Sequence, residues 1–190
     1  MKTYYTVILD ACVLYPALIR SYLLYLAQTG LYRARWTECI HQEWMCNLLR
    51  KNPQVDKTKL ERTRYLMDQY NPDCLVEGYE SLIEILHLPD AGDRHVLAAA
   101  IRGHAQAIIT YNLKDFPPES LVAFGVKAIH PDEFLSDMFE LNPGQVAQAA
   151  HRHRRSLKNP PFSAEEYLES LQKQKLPNFV SLLRTLHFAL

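Results

Sequence analysis

The sequence predicts an α/β fold of three layers, α/β/α, with helices on both faces of a central parallel sheet. Three observations predict it. Apolar runs at residues 4–9 (YYTVIL), 105–110 (AQAIIT) and 126–129 (VKAI) have the composition of buried strands. Segments with apolar residues at helical spacing lie between them. Near-continuous apolar strands alternating with helices belong to parallel sheets covered on both faces.

The elements follow in order. The first strand, residues 4–9, ends at Asp10. Residues 14–28 carry a helical pattern, with Gly30 as its C-terminal cap. Residues 31–36 form a second short strand. Thr37 then caps a helix running to about Arg50, and Pro53 lies just beyond it. Residues 55–70 form a charged amphipathic helix closed by Asn71-Pro72, and residues 79–86 a further short helix. Leu88-Pro89-Asp90 opens the next helix, with Asp90 at the cap and Asp93 three residues on, close to a capping box. That helix runs through HVLAAAIR to Gly103. The strand at 105–110 ends in Thr110-Tyr111-Asn112, and the strand at 126–129 runs into a helix from Pro131-Asp132 to Phe139.

From Asn142 the character changes. Pro143 starts a helix ending in HRHRR (151–155), residues 158–161 break it, and Ser163 with Glu166 forms a capping box for a helix to Lys173. A last apolar helix covers 177–190. These features imply a sheet domain at residues 1–140 and a helical extension at 141–190, too small for an independent core.

Composition bounds the function. Of 190 residues, 48% are hydrophobic and 22% charged, as in a folded globular chain. No run approaches the roughly 20 apolar residues that span a bilayer. The N-terminal apolar run meets Asp10 and lacks a small-residue cleavage site, so no signal peptide is expected and a cytoplasmic location is the default. Lys plus Arg equals Asp plus Glu at 21 each. Zero net charge argues against holding nucleic acid by bulk electrostatics, and leaves room for a local basic surface. Cys12, Cys39, Cys46 and Cys74 are scattered, with no CxxC. Cys39 and Cys46 stand seven apart, which suits no common zinc pattern. They are expected as small buried hydrophobes, and Cys12 has no activating partner in view.

The chemistry-bearing residues are acids at element ends. Asp10 follows the first strand. Glu43 lies among Ile40, Trp44 and Leu48. Asp90 and Asp93 share one first turn, and Asn112 and Asp115 follow a later strand. Asp10 and Thr110 end parallel strands, so both point to the same sheet edge, where such folds place their sites. Each acid has a plainer role as a turn, cap or dipole partner. Gathered together they repel: two like charges at 4 Å cost about 4 kcal/mol at an effective dielectric near 20. Mg²⁺ or Mn²⁺, hard and oxygen-preferring, would relieve this. Thr110 is placed to bond a site carboxylate. Arg20, Arg94 and His95 are candidates to meet a phosphate, as are Arg152, Arg154 and Arg155 of the HRHRR run, which also suits a helix C-terminus.

The segments VILDACVLYP, LPDAGDRHVLAAAIRGHAQAIITYNLKDFP and PDEFL resemble the PIN-domain nucleases, and more closely the branch found as toxins of bacterial toxin–antitoxin pairs. The resemblance covers about residues 3 to 140, and the tail resembles a helical extension carried by a subset of that branch. It implies metal-dependent endoribonuclease activity on RNA, with Mg²⁺ or Mn²⁺ held by Asp10, Glu43, Asp93 and Asp115. Asp90, Asn112 and Thr110 would support them. The partners implied are an RNA substrate and a small antitoxin whose tail occupies the acidic groove, with a homodimer as a further possibility and no membrane. Two other readings stand beside it. A phosphatase using Asp10 as nucleophile would want a second acid two residues on, where Cys12 stands. A non-catalytic RNA- or protein-binding module would keep the fold and lose the chemistry.

Overall fold

The computed structural model describes residues 5–190. The predicted first strand reaches Tyr4, which lies outside the described residues; the part within them is strand β1, Thr6–Leu9, buried throughout. Strand β2 is Arg33–Arg35, β3 is Ala107–Ile109 and β4 is Lys127–Ile129. They form one parallel sheet in the order β2-β1-β3-β4. The two inner strands are uncharged and apolar but for Thr6, whereas the edge strands carry Arg33, Arg35 and Lys127, charges that discourage further pairing.

The helices are α1 (Ala11–Leu14), α2 (Ala17–Ala27), α3 (Glu38–Lys51), α4 (Lys57–Tyr70), α5 (Glu80–Ile83), α6 (Arg94–Arg102), α7 (Pro118–Leu121), α8 (Pro131–Leu141), α9 (Pro143–Ser156), α10 (Ala164–Gln172) and α11 (Pro177–Arg184). Together with the sheet they make the expected three-layer α/β/α arrangement. Helix α6 packs on both β1 and β3. Its residues from His95 to Ala100 are all buried, as expected of a helix sandwiched between layers. Gly103 ends it where a Cβ would stand 2.9 Å from the Ala99 carbonyl oxygen, so only glycine fits without movement.

The differences from the expected elements have local causes. The helix expected at 14–28 is two helices, because Pro16 takes an extended backbone (φ −75°, ψ 122°) between them. The helix after Asp90 begins as a 3₁₀ turn at Ala91–Asp93. Helix α7 was not foreseen, although Pro118 sits at its first position. The last helix stops at Arg184 and a 3₁₀ turn, His187–Ala189, completes the described chain.

The expected boundary at residue 140 falls in the last turn of α8, just before α9 begins. Helix α8 packs on α9 and α11, and α9 packs on α2. Asp132 in α8 is buried, and its carboxylate accepts hydrogen bonds from the Asn178 and Phe179 backbone N–H groups at 3.2 and 2.9 Å and from Asn178 Nδ2 at 2.8 Å. It thus caps α11 from another helix. Tyr22 of α2 stacks near Phe179 (5.5 Å) and His153 (5.9 Å), so the C-terminal helices share a core with the sheet layer. Among the described residues no helix is long and apolar enough to cross a membrane.

Candidate active site

The strand order dictates where the site lies. From β1 the chain steps out to β2, then returns past β1 to β3 and onward to β4. The direction therefore reverses between β1 and β3, and the crevice beyond their carboxyl ends is where open parallel sheets bind ligands. Asp10 stands at the end of β1 and Thr110 at the end of β3, stitched by the Asp10 N–H donating to the Ile109 carbonyl at 3.1 Å.

Asp10 occupies the N-cap position of α1, yet its side chain makes no capping bond. Its Oδ2 instead accepts from Thr110 Oγ1 at 2.7 Å and from the Cys12 thiol at 3.0 Å. Thr110 is fully buried and in turn accepts from the Asn112 N–H at 2.9 Å. Burial, with the Asp10 charge behind it, pushes the Cys12 thiol up to about 12. Cys12 is therefore a neutral donor that orients Asp10, consistent with its expected lack of nucleophilic activation.

Asp93 similarly occupies the N-cap position of α6 with no side-chain capping bond. Asp90 does cap: its Oδ1 accepts from the Gly92 N–H at 2.7 Å. Asp90, Asp93 and Asp115 bring carboxylate oxygens within 4.8 Å of one another. Asn112 Nδ2 donates to Asp115 Oδ2. Burial pushes the Asp93 carboxyl up to about 6, reinforced by the charges of Asp10, Asp90, Asp115 and Glu43. The close group is thus Asp90, Asp93 and Asp115, while Asp10 and Glu43 stand outside it and act on Asp93 through their charge.

Glu43 reaches the site from α3. Thr37 caps that helix by accepting from the Ile40 N–H at 3.1 Å. A buried chain of bonds anchors it: Trp44 Nε1 donates to His41 Nδ1 at 3.1 Å, so the His41 proton sits on Nε2 and faces Asp68 at 2.9 Å, which also accepts from Trp36 Nε1. Glu43 Oε1 lies 3.1 Å from His95 Nε2. His95 was foreseen only as a phosphate contact; its pairing with Glu43 links α3 to α6 and is not visible as a sequence motif.

The basic candidates separate. Arg94 lies on the first turn of α6 beside Asp93, its Nε donating to the Ala91 carbonyl. Arg20 is buried: Nη1 donates to the Leu14 carbonyl at 2.6 Å and the guanidinium lies 4.5 Å from the Trp44 ring centroid. It braces α1 and α3, which corrects its expectation as a phosphate contact, because the side chain is buried and Nη1 is spent on main-chain carbonyls. Arg154 donates to the Phe162 and Leu190 carbonyls, and Arg152 lies over Tyr25. Arg155 is exposed. All three stand on α9, against α2 and α8 rather than on the loops that carry the acids.

The donor set of Asp90, Asp93 and Asp115 is entirely carboxylate oxygen, which fits a hard divalent cation, and the Asp93 carboxyl, raised by burial and then by the charges around it, includes a repulsion such a cation would relieve.

Comparison with known proteins adds an independent line. Residues 6–114 match the family described as PIN domain. Residues 131–185 match the family described as VapC50 C-terminal domain. A protein of Mycobacterium tuberculosis (strain ATCC 25618 / H37Rv), named "Putative ribonuclease VapC50", is 38% identical over 109 residues, covering 57% of this chain and 63% of the relative. The match thus spans less than two thirds of that relative's length. No solved structure gave a significant match.

Proposed function

The chain belongs to the PIN-domain family, and on that premise we propose that it is a divalent-metal-dependent endoribonuclease, the toxin of a type II toxin–antitoxin pair, working in the cytoplasm. The observation that carries the reading is the gathering of Asp90, Asp93 and Asp115 carboxylate oxygens within 4.8 Å of one another, where burial, reinforced by the charges of Asp10, Asp90, Asp115 and Glu43, raises the Asp93 carboxyl to about 6. A scaffold that concentrates this much negative charge at a sheet switch point is built to bind a cation. The relative's printed name, a ribonuclease, agrees with it.

Asp10, Asp93 and Asp115 would hold Mg²⁺ or Mn²⁺, with Glu43 reaching in from α3 and Asp90 supporting. When bound, the ion offsets the carboxylate charge and acts as a Lewis acid toward a phosphodiester. The remaining work belongs to the chain. Thr110 and Cys12 fix the Asp10 carboxylate by donating to the same oxygen, leaving the other free to face the site. Asn112 orients Asp115, and His95 orients Glu43. Arg94, at the mouth of α6, is placed to meet the RNA backbone. The antitoxin would be a small protein whose tail lies in the acidic groove. The nuclease domain is assigned to residues 1–140, with residues 141–190 as an extension that braces α2.

The test is RNA cleavage by the purified chain with Mn²⁺ and with EDTA, for the wild type and Asp10→Asn. The expected result is metal-dependent cleavage, abolished in the variant with its circular dichroism unchanged. RNA binding without turnover in the presence of Mn²⁺ would instead indicate a non-catalytic binding module.

A further inference from the structure

Next to the carboxylates, Cys39, Glu43 and His95 form a second cluster whose ligating atoms lie within 4.8 Å of one another. Its chemistry differs: one sulfur, one carboxylate and one imidazole. Cys39 and Glu43 stand one helical turn apart on α3 and so share a face. His95, on α6, is only 7% exposed. Its Nε2 is 3.1 Å from Glu43 Oε1, and its Nδ1 is buried with no hydrogen-bond partner among the described residues. An imidazole buried with one nitrogen idle and the other against a carboxylate, with a thiol within 4.8 Å, is an unusual structural filler.

Ligands bound to tetrahedral zinc at ~2.0–2.3 Å stand about 3.3–3.7 Å from one another. The His95–Glu43 contact already has nearly that spacing, and the Cys39 sulfur lies within 4.8 Å of both. Thiolate and imidazole select zinc-like ions over Mg²⁺ and Mn²⁺, the reverse of the all-carboxylate group. We propose that Cys39, Glu43 and His95 bind a borderline-soft divalent transition ion, zinc above all, and that this ion inhibits the enzyme by withdrawing Glu43 from the carboxylate site.

Three protein ligands leave the fourth position to water, so the site is a reversible one rather than a closed structural one. Burial, with Glu43 and Glu38 nearby, keeps the Cys39 thiol protonated in the absence of metal. Metal binding therefore forms a metal–sulfur bond, releases the thiol proton to solvent and moves no electrons. The binding half stands on the geometry alone; the inhibition half rests on the nuclease reading above.

Cobalt(II) titrated into the full chain is the probe. The expected result is a sulfur-to-cobalt charge-transfer band in the near ultraviolet, lost in Cys39→Ser and retained in Cys12→Ser and Cys46→Ser. Zinc affinity measured by calorimetry should fall at least roughly tenfold in Cys39→Ser, since even outer-shell losses cost that much. No band in the wild type, or a band that survives in Cys39→Ser, overturns the site. In the second arm, zinc suppresses Mn²⁺-supported RNA cleavage by the wild type at concentrations that leave Cys39→Ser, equally active without zinc, unaffected. Equal inhibition of both overturns the regulatory half. Absence of cleavage from both counts against the nuclease reading and the inhibition with it, while the cobalt band is judged on its own.

Discussion

Thr110 Oγ1 donates to Asp10 Oδ2 across 2.7 Å, joining the ends of two strands whose residues are 100 positions apart in the chain. The hydroxyl is fully buried and also accepts from the Asn112 N–H, so one side chain orders both the first-strand acid and the loop that carries Asp115.

Thr110→Val keeps the shape and removes the hydroxyl. It leaves the Asn112 N–H without its acceptor and Asp10 Oδ2 with the Cys12 thiol alone, at a cost of about 1–3 kcal/mol in stability. RNA cleavage should fall by more than stability explains, because Asp10 loses its orientation. Thr110→Ser should restore most of both. Denaturant melts alongside single-turnover cleavage check this, and a fully active Thr110→Val would show that Asp10 needs no such partner.

The raised Asp93 carboxyl sets a pH dependence. Its folded value near 6 lies above its ordinary 3.8, so the folded protein holds that proton more tightly than the unfolded chain does. In EDTA, this group's contribution to stability is present below about pH 4 and is lost as pH rises through about 6. Asp93→Asn removes the repulsion. The variant should melt above the wild type at pH 7 in EDTA, and the difference should narrow toward pH 5. Mg²⁺ should raise the wild-type Tm at pH 7 and leave Asp93→Asn less affected. Thermal melts at the two pH values, with and without Mg²⁺, decide it; a variant less stable than the wild type at pH 7 in EDTA would contradict the crowding of charge on Asp93.

His153 works in the opposite sense. It is wholly buried, its Nδ1 is 2.9 Å from the Tyr167 hydroxyl, and burial pulls its pKa down to about 4. The folded state prefers the neutral ring, so this contribution is intact above about pH 6.5 and is lost as pH falls toward 4. From 6.5 to about 4 the loss approaches about 3 kcal/mol. Replacing His153 with Gln should flatten the acid limb of the stability–pH curve. An unchanged limb would assign acid sensitivity to other groups.

Asp132 holds the end of the chain in place. Asp132→Ala leaves the first N–H groups of α11 uncapped and should cost about 1–2 kcal/mol. Hydrogen exchange should quicken in α11 before it does in β1 or β3. Uniform loss of protection would mean that the C-terminal helices and the sheet unfold as one unit.

Part of this was legible from the chain itself. Apolar strand runs, Pro and Gly at element ends, and the Ser163–Glu166 capping box act over a few residues, so local patterns determined the parallel α/β class and most of the element order. Asp10 and Asp93 stand beside an apolar strand and the alanine-rich helix, and that adjacency marked them without a structure.

What only the tertiary structure decided was who meets whom. Cys12 and Thr110 share the Asp10 carboxylate, and His95 meets Glu43 from 52 positions away. Arg20 and His153 read as surface charge in the sequence and are buried, one on backbone carbonyls and the other among tyrosines. Hydrogen-bond partners and burial are set by long-range packing, to which a residue's neighbours in sequence contribute little. The same reason hid Cys39 from any zinc motif: Glu43 stands one turn away on α3, but His95 comes within reach only when α6 is brought beside α3.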